Sequence, residues 1–222
     1  MNRISTVTST LAAVLTGIFL IQTAPPQAAA AEPSCCGPVS AKGRKLEAVL
    51  DSMNVESLWQ AHEHVNWETG QPDKGPDYDG PGRSTHCSAF AAAVGKKLGV
   101  YMLRPPDHGQ ILLANAQTEW FHTEKGRQGG WRAVGTAQQA QTLANEGRLV
   151  VIVYESPDPH KPGHIAVVRP AARSQRLLDE NGPSITQAGT KNYASTSTKV
   201  GFLHHPGAWP DHVQYFEHSV DF

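Results

Sequence analysis

A thiol at the start of an apolar, helix-like run and an imidazole opening a buried strand are the residues of this chain best suited to chemistry. Cys87 lies in Ser84-Thr85-His86-Cys87-Ser88-Ala89-Phe90, and 77 residues later the chain reads Gly163-His164-Ile165-Ala166-Val167-Val168. The positive end of a helix dipole favours thiolate, and an imidazole can take the thiol proton, so the pair suits nucleophilic attack on a carbonyl. His86, next to Cys87 in sequence, points away from it on a helix and is a poor choice of base. The chain also carries eleven histidines. His62 with His64 and His204 with His205 suggest a metal-dependent hydrolase as the alternative, with His62 and His64 sharing a face if they lie on a strand. Neither HExxH nor a Cys-rich ligand spacing accompanies them.

The elements that must position this pair follow from hydrophobic periodicity. Leu46, Val49, Leu50 and Met53 predict a first amphipathic helix over about Gly43 to Ser57. Residues 66–83 are dense in Gly, Pro and Asp and read as a long surface loop. Ser84 or Thr85 is the expected N-cap of the Cys87 helix, Phe90, Val94 and Leu98 continue the stripe of Cys87, and Gly99 ends it. Two further helices are expected from caps at Asp107 with Gln110 and at Thr136 with Gln139, the latter closed by Gly147. Leu149 to Tyr154 and Ile165 to Val168 read as strands buried on both faces, paired antiparallel across a proline-rich loop. Further strands are expected at Ser184 to Ala188, near Val200 to Phe202 and at His212 to Phe216. Helices first and strands afterwards predict an α+β domain with a mostly antiparallel sheet.

Before this domain, Arg3, the apolar run Leu11 to Ile21 and the small-residue stretch Ala28 to Ala31 read as a signal peptide over residues 1–31. The expectation is an exported protein, periplasmic or extracellular, with no integral membrane segment after processing. Residues 32–42 read as a flexible arm, and residues 43–222 as one domain. Net charge is −1, with neither a basic stripe nor a block of like charge, so nucleic acid is an unsuited partner. The three cysteines are Cys35, Cys36 and Cys87. Adjacent cysteines bridge each other only with strain and an odd count leaves at least one free, so the turn-rich arm suggests that Cys35 or Cys36 could join another chain, while a bridge from either to Cys87 would defeat the catalytic reading. Asp73, Asp77, Asp79 and Arg83, with Trp120, Trp131 and Arg132, are candidates to line a cleft.

The order of these pieces resembles the bacterial cell-wall branch of the papain-like superfamily, the CHAP and NlpC types of amidase and peptidase. The resemblance rests on Cys87-Ser88-Ala89-Phe90, the strand after Gly147-Arg148, Gly163-His164-Ile165-Ala166-Val167-Val168, and a polar residue on the next strand. It implies a papain-like core in which N-terminal helices pack on the sheet. It also implies an orienting residue after the histidine, for which Ile185-Thr186-Gln187-Ala188-Gly189 offers Gln187, with Asn192 as fallback. An amide oxygen there accepts from one ring N–H and leaves the other nitrogen for the thiol. The implied catalytic set is Cys87, His164 and Gln187, without cofactor or metal, acting on a peptide or on peptidoglycan. A thiolate–imidazolium pair is expected to form before attack, with the Cys87 backbone N–H as one oxyanion donor. Papain-type enzymes place a glutamine six residues before the nucleophile, where this chain has Pro81. Ser84, Thr85 and Tyr78 remain as sources of the second donor. A degenerate, non-catalytic cell-wall-binding module is the other alternative.

Overall fold

A computed structural model describes Met1 and residues 32–222 of the chain, so the apolar run and cleavage motif within residues 2–31 lie outside the described residues. The centre of the fold is a pair of strands, β2 (Leu149–Tyr154) and β3 (His164–Val168), buried along their whole length. Their side chains alternate between two layers, as the two-residue period of a strand requires. Leu149, Val151, Val153, Ile165 and Val167 join one apolar cluster, and Val150, Ile152, Ala166 and Val168 the other.

The first cluster is completed by α1 (Ala41–Ser52), α2 (Cys87–Lys97) and α3 (Leu113–His122), through Leu46, Phe90 and Phe121 among others. The second takes Ala140 and Ala144 from α5 (Ala137–Asn145), which follows the short α4 (Glu124–Gln128), and Phe202, just past α7 (Thr198–Gly201). The remaining strands are β1 (Arg132–Val134), β4 (Ser184–Gln187), β5 (Tyr193–Ser197) and β6 (Gln214–His218), and α6 (Gln175–Asn181) precedes β4. All six strands form one open antiparallel sheet in the order β1-β6-β2-β3-β4-β5. The fold is α+β. Among the described residues no helix is long and apolar enough to cross a membrane.

Several sequence expectations shift. The first helix stops at Ser52, because Asn54 adopts a left-handed conformation (φ 51°) and turns the chain. The helix expected from Asp107 begins only at Leu113, behind a left-handed Leu112. Val200 to Phe202 is not a strand: the Ser197 hydroxyl accepts the Val200 N–H and starts α7 there. The strand in this region is β5, an edge strand with no fully buried residue and therefore little hydrophobic signal. The Thr136 cap holds, its hydroxyl accepting the Gln139 N–H at 3.1 Å.

The N-terminal cysteines also differ from expectation, because Cys35 and Cys36 are bonded to each other and Cys36 is buried. Their segment is docked rather than free. Asn145 donates to the carbonyls of Cys36 (3.1 Å) and Gly37 (3.2 Å), and the Cys35 N–H donates to Arg173. Neither thiol is available for another chain, and Cys87 is the free cysteine.

Candidate active site

Helix α2 begins at Cys87 itself, one or two residues later than caps at Thr85 or Ser84 would place it. The N-cap position is His86, whose side chain makes no capping bond. Its ring is buried and bonds the Glu63 carbonyl at 2.9 Å, so it fastens a neighbouring loop. The missing cap leaves the first-turn N–H groups without side-chain partners. The Cys87 thiol uses that space, facing the backbone N–H groups of Cys87, Ser88 and, across on β3, Ile165. These donors favour thiolate, but burial outweighs them and pushes the thiol above its ordinary value.

His164 is the first residue of β3 and is 3% exposed. The chain reaches it through Gly163, whose N–H donates to Asn115 Oδ1 at 2.8 Å. A Cβ on Gly163 would lie 2.2 Å from the Tyr154 carbonyl oxygen and 2.4 Å from Asn115 Oδ1, so only glycine fits. His164 Nε2 is 2.9 Å from Gln187 Oε1 on the adjacent strand β4. The amide is oriented by its other end, since Gln187 Nε2 donates to the Lys191 carbonyl at 3.1 Å. With Oε1 therefore facing the ring, Nε2 carries the proton and Nδ1 keeps its lone pair.

Asn192, the fallback orienter, is committed elsewhere. Its Nδ2 donates to the carbonyls of Val55, Leu58 and Trp59, and its Oδ1 accepts the Gly189 N–H. It staples the β4–β5 loop to the segment after α1. The two amides should therefore separate on substitution. Asn192→Ala should lower stability by about 2–4 kcal/mol through lost hydrogen bonds with turnover per folded molecule little changed, whereas Gln187→Ala should cost about 1–3 kcal/mol and lower turnover of the folded protein roughly tens- to hundreds-fold. Urea unfolding and turnover on both variants check this, and a crippled turnover in well-folded Asn192→Ala would reverse the assignment.

Cys87 and His164 approach from opposite layers at the N-terminal end of β3. The thiol lies against the backbone of Ile165, the residue after His164, but makes no hydrogen bond to the imidazole. Each lines its own cavity, of about 190 Å³ for Cys87 and about 220 Å³ for His164. Ser84, Thr85 and Pro162 border both. Of the candidate second donors, Tyr78 already donates to the Pro81 carbonyl at 3.1 Å. Ser84 and Thr85 keep the position.

Burial pulls His164 from 6.5 down to about 4, only partly offset by the Gln187 hydrogen bond. Burial raises the thiol and lowers the imidazole, so both shifts favour the neutral pair over the expected thiolate–imidazolium pair. The same burial links folding to pH. Unfolded His164 binds its proton near pH 6.5 and folded His164 only near pH 4, so stability present above pH 6.5 is lost as pH falls to 4. The loss is about 3 kcal/mol for this residue. Urea midpoints at pH 7, 5.5 and 4 should fall accordingly, and a flat series would contradict a buried neutral His164.

The chain matches no protein-family model and no curated protein. Its function therefore rests on this geometry. The other candidate residues lie elsewhere: Trp131 is fully buried in the core, His64 pairs with Asp73, and Arg83 donates to the His62 carbonyl. His62 and His64 are not on a strand. Among the described residues no three His, Cys, Asp or Glu side chains gather as metal ligands would. Of the His204–His205 pair singled out in the sequence as possible metal ligands, both line the His164 cavity and the His205 ring stacks on His164; the sequence offers no signal for Asn115, which fixes the loop before it.

Proposed function

We propose that the chain is an exported cysteine amidase or peptidase with a papain-like core of NlpC or CHAP type. Its substrate is an amide bond in peptidoglycan stem or cross-link peptides. The observation that carries the reading is the bond from His164 to Gln187 on adjacent strands, with the Cys87 thiol at a helix N-terminus against the next residue of the same strand. An orienting amide on one ring nitrogen and a base-competent lone pair on the other have a plain use in proton transfer from a thiol.

In this mechanism His164 Nδ1 takes the Cys87 proton as sulfur attacks the amide carbon, so charge appears only along the reaction. The oxyanion is held by the Cys87 backbone N–H and by a hydroxyl of Ser84 or Thr85. The imidazolium then protonates the leaving amine, the C–N bond breaks, and water activated by the neutral imidazole hydrolyses the thioester.

Digestion of purified peptidoglycan with the protein, followed by mass spectrometry, tests both activity and bond. New amino groups without new reducing sugar ends are expected, with activity lost on alkylation of Cys87 and retained with chelators. Reducing ends alone, or good cleavage of ordinary proteins with none of peptidoglycan, would overturn the cell-wall assignment. The missing Cys87–His164 hydrogen bond favours one second reading, a degenerate module that binds cell wall without cutting it. Binding to peptidoglycan with no released amines would select it.

A further inference from the structure

A second imidazole lies flat on the proposed base. The turn after α7 delivers two rings three residues apart, both against His164. Phe202 sets its edge on the imidazole with centroids 4.7 Å apart and planes at 77°, and His205 stacks on it at 4.9 Å and 19°. Tyr154 of β2 packs on His205 in turn, at 5.6 Å. Among the described residues neither ring nitrogen of His205 has a hydrogen-bond partner, so its contacts are made through the ring faces.

A hydrogen bond from Nε2 to Gln187 fixes one atom of the His164 ring but leaves the ring free to tilt about that contact. Steric confinement of a face removes that freedom. We infer that His205 is a positioning residue for His164: its stacked ring, with the edge of Phe202, fixes the plane of the imidazole and hence where Nδ1 is presented. This inference rests on the proposed role of His164 as base. The stack is between neutral rings, since burial, His164 and His204 together hold His205 down to about 4. Tyr154, packed on the ring, and His204, whose charge bears on it, are the other titratable groups around His205.

The role belongs to the ring's shape rather than its nitrogens, which separates two variants. His205→Phe keeps a flat aromatic face, and His205→Ala removes it. Because Cys87 is the free thiol, its alkylation by iodoacetamide at pH 7 can be followed by mass spectrometry without a known substrate, with His164→Ala giving the baseline. Nitrogen-15 NMR of the His164 imidazole reports directly whether the single Nε2–H tautomer persists. For His205→Ala the His164-dependent alkylation rate should fall about three- to ten-fold, with mixed tautomers, while His205→Phe should stay within about two-fold of the native rate. Native behaviour in both variants would overturn the inference. Equal impairment in both would also overturn it, by showing that the nitrogens of His205 matter. If His164→Ala leaves alkylation unchanged, the cysteine-hydrolase reading fails, while the tautomer comparison still tests the role of His205.

Discussion

Cys87→Ala should abolish hydrolysis, by at least about 10⁴-fold in turnover, while the protein remains folded. Sulfur is the atom that would bond to the substrate carbonyl, and no other free thiol in the chain can replace it. The structural cost is small because the substitution removes a single sulfur atom from the first residue of α2, at the edge of the apolar cluster that Cys87 shares with Phe90 and Ile165. A loss of about 1–2 kcal/mol is expected from the small cavity. Denaturant unfolding should therefore show a cooperative transition near the native one, beside an inert enzyme. Native-like turnover in this variant would end the cysteine-enzyme proposal.

How much of this site is legible in the sequence depends on how local its physics is. The continuous apolar runs of β2 and β3 and the stripe from Cys87 through Phe90 and Val94 announce themselves, because burial on both faces or on one helix face leaves a period in the residues. The two edge strands do not. β1 has three residues and β5 reads Tyr-Ala-Ser-Thr-Ser, so pairing to a neighbour, rather than burial, makes them strands. Which of Gln187 and Asn192 bonds His164 depends on contacts outside the local pattern: the Lys191 carbonyl turns the Gln187 amide, and Val55, Leu58 and Trp59, far away in sequence, occupy Asn192. Local pattern holds no trace of such contacts. His205 was visible only as half of a His-His pair suggestive of metal, whereas its ring is spent on His164. The bonding of Cys35 to Cys36 went against the rule that neighbours pair poorly, and the docking of residues 34–37 on Asn145 and Arg173 is equally nonlocal.

His164→Ala should cost about as much as losing the nucleophile, on the order of 10⁴-fold, because a thiol and its base act as one unit. The pH dependence of the native protein gives the sharper test. Turnover requires that the pair carry one transferable proton, so it should rise as pH passes about 4, where buried His164 becomes neutral. It should decline only above the ordinary thiol value of 9.0, since burial raises Cys87 further. Those two limits belong to the pair jointly, and they would look the same if the proton rested on nitrogen instead of sulfur. Alkylation separates the two arrangements. A resting thiolate–imidazolium pair would make the rate of Cys87 alkylation level off from about pH 5, as a thiolate present throughout must. A neutral pair holds the thiol protonated through neutrality, so beyond any His164-assisted plateau the rate should rise again past pH 9 as free thiolate forms. In His164→Ala the slower reaction at pH 7 should converge on the native rate only at the alkaline end, where solvent removes the proton without help. A native plateau from pH 5 that continues level past pH 9 would show that burial does not govern this site, and the ion-pair mechanism expected from sequence would return.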